Sequence, residues 1–215
     1  MKQLVVTFSL VDGIKWSDGK PLVKADLKLA YKHDCDKDSG AVSYISCEKV
    51  SKIDFTSDTS YTITWKPGNQ DPLYYVNTWG WYPSHRVINT EGPNKGKKLA
   101  DVPAKDWASL KEIAENPMAT GPYVIKEWKK GQSISYEANP NFYKGKPKPP
   151  KIVISFIDPA NAEAKLIAGE VDILGDETLT AVTETLKKAE TAGKVKTQVV
   201  SSATWEHIDF SLFVK

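Results

Sequence analysis

The sequence predicts a mixed fold, an α+β first half followed by an α/β second half. Three observations carry that reading. Short apolar-alternating runs around tight turns dominate the first half. Strand and helix patterns then alternate from Gly121 onward. The apolar runs are strand-length, and none approaches the roughly 20 residues that span a bilayer.

Leu4–Leu10 alternates as a strand and enters turns at Val11-Asp12-Gly13 and Ser17-Asp18-Gly19-Lys20-Pro21. Lys24–His33 places apolar residues at Ala25, Leu27, Leu29, Ala30 and Tyr31, which predicts an amphipathic helix. Val50–Phe55 and Tyr61–Trp65 flank Thr56–Ser60 and form a hairpin pattern. Pro72–Gly80 is apolar and aromatic and predicts a helix. Glu91–Lys105 is Gly-, Pro- and Lys-rich and predicts an exposed loop, and Asp106–Glu115 predicts a helix capped by Asp106.

A change of character near Asn116–Thr120 marks a domain boundary. Beyond it, Tyr123–Trp128 and Ser133–Glu137 form a β pair around Lys130-Gly131. Lys151–Ile157 predicts a strand, Ala160–Ala168 a helix and Val171–Leu174 a short strand. Leu179–Ala192 predicts a helix ended by Gly193, with strands at Val195–Val200 and His207–Phe213. Met1-Lys2-Gln3 passes straight into strand pattern without a signal-peptide layout, and strand-like residues lie near both ends. The expectation is a piece of a longer protein.

The 215 residues carry a formal charge of +2 with 26% charged residues, which gives no electrostatic case for nucleic acid. Cys35 and Cys47 lie twelve residues apart and read either as two separate thiols or, favoured by the local spacing, as a disulfide. The histidines, His33, His85 and His207, lack metal spacing. Gly92–Lys98 fails as a phosphate loop because Lys98 stands where Ser or Thr is required. Asp34, Asp36, Asp38 and Gly40 imitate a calcium loop, but Ile45 takes the place of the bidentate glutamate. No nucleophile elbow or dinucleotide fingerprint is present, so nothing points to an enzyme or a cofactor.

The run Phe8-x-Leu10-x-x-Gly13-Ile14-Lys15-Trp16-Ser17-Asp18-Gly19-Lys20-Pro21-Leu22-x-x-x-Asp26 resembles the signature of the family 5 extracellular solute-binding proteins of ABC importers. Tyr61–Trp65, Gly121-Pro122-Tyr123, Asn139-Pro140-Asn141-Phe142-Tyr143-Lys144-Gly145-Lys146-Pro147 and Ala164–Ile173 follow in that family's order. Val23, and Phe142-Tyr143 for Tyr-Trp, are small departures.

The resemblance implies a fragment of a type II periplasmic-binding-protein-like fold. Residues 1–117 would be the extra α+β domain and 118–215 the middle of lobe one. Peptide capture by closure of two lobes is the implied function, with oligosaccharide capture as the alternative and a secreted polysaccharide-degrading enzyme as the reading from another class. The implied partners are the ligand and the membrane subunits of an ABC importer. The implied state is a monomer outside the cytoplasm, with no nucleic acid bound. By position, the resemblance nominates Ser202, Ala203, Thr204 and Trp205 as the lobe-one wall and Asn77, Trp79 and Trp81 as cleft loop residues. Tyr44 falls near a ligand-facing aromatic. Trp16, Trp65, Trp107 and Trp128 are expected in the core.

Overall fold

The structure, a computed structural model, describes residues 2–69, 80–175 and 182–199. Backbone packing divides the chain into Met1–Ser155 and Phe156–Lys215.

In the first unit, β1 (Val5–Ser9), β2 (Val50–Phe55) and β3 (Ser60–Trp65) form an antiparallel sheet in the order β1-β3-β2. Its register lines up two apolar rows, Val6–Ile63–Ile53 and Phe8–Tyr61–Phe55. Phe8 and Tyr61 stack with ring centroids 5.3 Å apart. Alternate residues of a strand point to one face, so this face is apolar and buries Tyr61 and Ile63.

Helix α1 (Lys24–Asp34) lies between two apolar clusters. Its Leu27 packs with Leu22, Val50, Tyr61, Ile63 and Trp65. Its Leu29 joins Ile88, Leu99, Val102, Trp107 and Leu110. The second cluster corrects the expectation of an exposed loop over 91–105. Leu99 and Val102 are core residues carried by a short 3-10 turn at Leu99–Asp101.

Asp106–Glu115 is not one capped helix. A 3-10 stretch at Ala104–Ser109 gives way at an extended Leu110 to α3 (Lys111–Ala114). The Asp106 carboxylate accepts from Asn94 Nδ2 at 2.9 Å and so serves the neighbouring loop.

The disulfide Cys35–Cys47 ties the end of α1 to α2 (Ile45–Lys49). Strands β4 (Tyr123–Lys129), β5 (Ser133–Ala138) and β6 (Lys151–Ser155) form a second antiparallel sheet in chain order. Register places Ile125, Tyr136 and Ile152 in one row and Trp128, Ile134 and Ile154 in the next. This apolar face is uncovered: no residue of the three strands is buried, and Trp128 is 39% exposed. Trp16, Trp65 and Trp107 are core residues as expected, while Trp128 is not.

In the second unit, α4 (Pro159–Ile167) starts from Asp158, whose Oδ1 accepts from the Ala160 amide at 2.9 Å. Proline at the first helical position costs no hydrogen bond there. Thr183 caps α5 (Glu184–Thr191) through the Leu186 amide, and its hydroxyl also donates to Glu163 of α4. Leu186, Ala189 and Ala162 are the buried residues of this pair. Neither Val171–Leu174 nor 195–199 is a strand. Ile173 is exposed, and neither segment has a ladder partner among the described residues. The segments predicted at Pro72–Gly80, up to residue 79, and at His207–Phe213 lie outside the described residues.

A crosslink over this short separation removes unfolded-chain entropy. Replacing both Cys35 and Cys47 by Ser is expected to lower stability by roughly 2–3 kcal/mol in urea unfolding. A change under about 0.5 kcal/mol would show that the loop is held by its other contacts.

Candidate ligand-binding residues and the turns that carry them

Trp81, one of the nominated residues, is held by a set of turns, and a buried carboxylate anchors the first of them. Asp26 is fully buried at the third position of α1. Its Oδ2 accepts from Trp16 Nε1 at 2.8 Å and from the Val23 amide at 3.1 Å. Its Oδ1 accepts from the Ser84 amide at 2.8 Å. A buried carboxylate is tolerated when donors replace its water, and here three do. The bond back to Val23 is half of a capping box and fixes where α1 begins.

The Trp16–Pro21 turn closes through Gly19 N–H to Trp16 C=O and Trp16 N–H to Lys20 C=O, both at 2.8 Å. Gly19 has φ +87, a conformation that favours glycine, and a Cβ there would meet the Asn141 side chain at 3.8 Å. Asp18 accepts from the Lys20 amide and pairs with His85 Nε2 at 2.9 Å. Partial burial pushes its pKa up, but the Lys20 amide and His85 outweigh that and hold the carboxyl below its usual range. Asn141 Nδ2 donates to Ser17 C=O at 3.1 Å. Fully buried Asn139 donates to Gly121 C=O at 2.8 Å and accepts from the Asn141 amide at 3.0 Å. The Ser-Asp-Gly, Gly-Pro and Asn-Pro-Asn turns are therefore one hydrogen-bonded assembly.

Trp81 is attached to this assembly. It is half-buried, packs against the first apolar cluster, and donates from Nε1 to Thr120 Oγ1 at 3.1 Å. Tyr44, also half-buried, precedes α2 inside the disulfide loop and donates its hydroxyl to Lys37 C=O at 3.0 Å. Asn77, Trp79, Ser202, Ala203, Thr204 and Trp205 lie outside the described residues.

Neither of two cavities in the first unit is large. One of about 210 Å³ is lined by Glu115, Asn116, Ile125, Lys126, Trp128 and Lys130. The other, about 80 Å³, lies beside His33 and Trp107. Both are smaller than the several hundred Å³ that enclose a drug-sized ligand, so neither can hold a peptide.

Beside the second cavity His33, Asp34 and Tyr82 bind one another, while the buried His33 Nε2 has no hydrogen-bond partner among the described residues. The His33 ring stacks on Trp107 at 3.8 Å and shares Asp34 with the Tyr82 hydroxyl. Burial, with Asp34 alongside, pushes the Tyr82 hydroxyl up to about 12. Asp34 and Asp36 are thus occupied, the latter capping the 3-10 turn Lys37–Ser39. Sequence reasoning did not find Thr120, Ser84 and His85 as partners. Their bonds join positions far apart in the chain, and no local pattern reports them.

Residues 2–211 match the sequence model of the bacterial extracellular solute-binding proteins, family 5. The chain belongs to that family. Among family 5 relatives, the oligopeptide-binding protein AppA of Bacillus subtilis is 28% identical over 161 residues. That alignment covers 74% of this chain and 28% of AppA. The oligopeptide-binding protein OppA of the same organism is 26% identical over 93% of this chain and 37% of its own length.

The structure of Bacillus subtilis AppA in complex with a nonapeptide superimposes with a TM-score of 0.66 at 27% identity. The match covers 78% of this chain and 31% of that one. NikZ from Campylobacter jejuni, in complex with Ni(L-His), superimposes with a TM-score of 0.61 at 25% identity over 78% of this chain and 31% of its own. The fold is thus a mixed α/β fragment of the type II periplasmic-binding-protein kind, and the chain spans about a third of the length of these relatives.

Glu112 anchors the loop that leads from the Trp81 region back to α3. It is buried and accepts from the Asn89 amide at 2.7 Å, the Thr90 amide at 3.0 Å and the Thr90 hydroxyl at 2.7 Å. Burial raises its pKa, but these donors together hold it below the usual glutamate value. A lowered folded pKa gives stability that is complete above the unfolded value, near 4.3, and lost as pH falls through the folded value. The stability advantage of the native chain over Glu112→Gln in urea unfolding is expected to shrink between pH 5 and pH 3. A difference that stays constant from pH 7 to pH 3 would contradict this assignment.

Proposed function

We propose that the chain is part of the substrate-binding component of an ABC importer that captures peptides by closure of two lobes. Residues 1–117 are assigned to the extra domain and 118–215 to the middle of lobe one. The family match over residues 2–211 carries the reading. The uncovered apolar face of the β4-β5-β6 sheet supports the partial-lobe assignment. Ile152 and Ile154, which lie on that face of edge strand β6, are 37% and 47% exposed, which is unusual for a sheet that completes a core.

Under this proposal Ser202, Ala203, Thr204 and Trp205 line the lobe-one wall, and Asn77, Trp79, Trp81 and Tyr44 line the opposing loops. Backbone groups would bind the peptide frame shared by all peptides, and no bond would be made or broken. The protein acts as a monomer outside the cytoplasm and delivers ligand to the importer's membrane subunits. The peptide reading stands first because peptide-binding relatives align at 25–28% identity. The oligosaccharide reading relies on Trp79, Trp81 and Trp205 as stacking platforms. Of these, only Trp81 is described, and its N–H is already committed to Thr120.

Titration calorimetry separates the readings. The full-length protein is expected to bind peptide mixtures at micromolar concentrations or below, while the 215-residue chain alone gives no heat. Binding of cello- or manno-oligosaccharides with no response to peptides would replace the peptide reading. Tight peptide binding by the 215-residue chain alone would contradict the partial-site assignment.

A further inference from the structure

Between Glu137 and Asp158 the chain carries no acidic residue and four lysines, Lys144, Lys146, Lys148 and Lys151. All four are exposed, and none takes part in an ion pair among the described residues. The lysines of the adjoining sheet behave differently. Lys126 pairs with Glu137, Lys129 with Glu127 and Lys130 with Glu115. A chain with a net charge of only +2 thus concentrates four unneutralised charges within eight residues.

The segment is held at both ends. The Asn139–Asn141 turn anchors its start, and Gly145 N–H donates to Phe142 C=O at 2.9 Å. At its end, the Tyr123 hydroxyl donates to Pro149 C=O at 3.0 Å and the Ala138 amide to Pro150 C=O at 3.0 Å. Pro147, Pro149 and Pro150 fix φ and disfavour helix, and the one carboxylate opposite the segment, Glu137 across the ladder from Lys151, already pairs with Lys126. Tyr143, 42% exposed, stands at the same edge with Lys144 Nζ 5.4 Å from its ring centroid. A half-exposed tyrosine beside lysines is a pairing suited to the headgroup zone of a bilayer, where the ring is partly dehydrated and the ammonium groups meet phosphate.

The geometry points to residues 143–151 as an electrostatic docking surface for an anionic phospholipid membrane. One basic segment gives weak, reversible association and no insertion. It would hold a binding protein near the membrane. This assignment does not depend on which ligand the family site takes.

The test is flotation of the full-length protein with vesicles of phosphatidylcholine alone or with 30% phosphatidylglycerol, at low and physiological salt. Binding is expected only to the anionic vesicles, and it should weaken as salt screens the lysines. Each lysine near an anionic surface contributes about fivefold in affinity. The triple variant Lys144→Gln, Lys146→Gln, Lys148→Gln should therefore bind about a hundredfold more weakly. Lys188→Gln, Lys194→Gln, Lys196→Gln, with the same net charge, should bind nearly as the native chain does. Exposed side chains are altered in both, and unchanged circular dichroism verifies folding. Equal losses in the two variants, equal binding to neutral vesicles, or binding to soluble polyphosphate without binding to vesicles would each overturn the assignment.

Discussion

A single buried carboxylate organises the first unit. Asp26 joins the indole of Trp16, the start of α1 and the amide of Ser84, and these lie on three separate stretches of chain. Removing such an acceptor would strand three donors away from water, and each would carry the desolvation penalty of an unsatisfied group. The residues that carry the family signature are therefore scaffold. Trp16 and Asp26 are the two ends of a bond, and Gly19 supplies a left-handed turn.

The same logic extends across the turns. Ser17 receives Asn141, Asn139 receives Asn141 and binds Gly121, and Thr120 receives Trp81. The small motifs spread over the chain become one connected polar assembly once folded. It fixes the loops around Ser17, Thr120 and Asn139 and holds the indole of Trp81 against them. Under the proposed capture function, such a preformed scaffold would avoid the cost of ordering loops when ligand arrives.

Much of the first unit was legible from local pattern. Val50–Phe55 appears with its expected bounds and α1 differs by one residue, because alternation and helical period are written in adjacent residues. The failures share a cause. Val171–Leu174 has strand-like composition, but a strand needs a partner, and the chain does not encode that partner locally. Asp106 looked like a cap, yet Asn94, twelve residues earlier, takes its carboxylate. Trp128 looked like core because tryptophan is large and apolar, and only the sheet's uncovered face shows otherwise. For the candidate site, sequence could point to Trp81 by position. It could not show that the indole N–H is bound to Thr120, a contact across 39 residues.

The account stands or falls on the bond between Trp16 and Asp26 as the core of the scaffold. A double-mutant cycle with Trp16→Phe, Asp26→Ala and the double variant measures it in urea unfolding. Trp16→Phe should be costly in the native chain and nearly neutral once Asp26 is Ala, a coupling of about 1–3 kcal/mol. Strictly additive losses would contradict it.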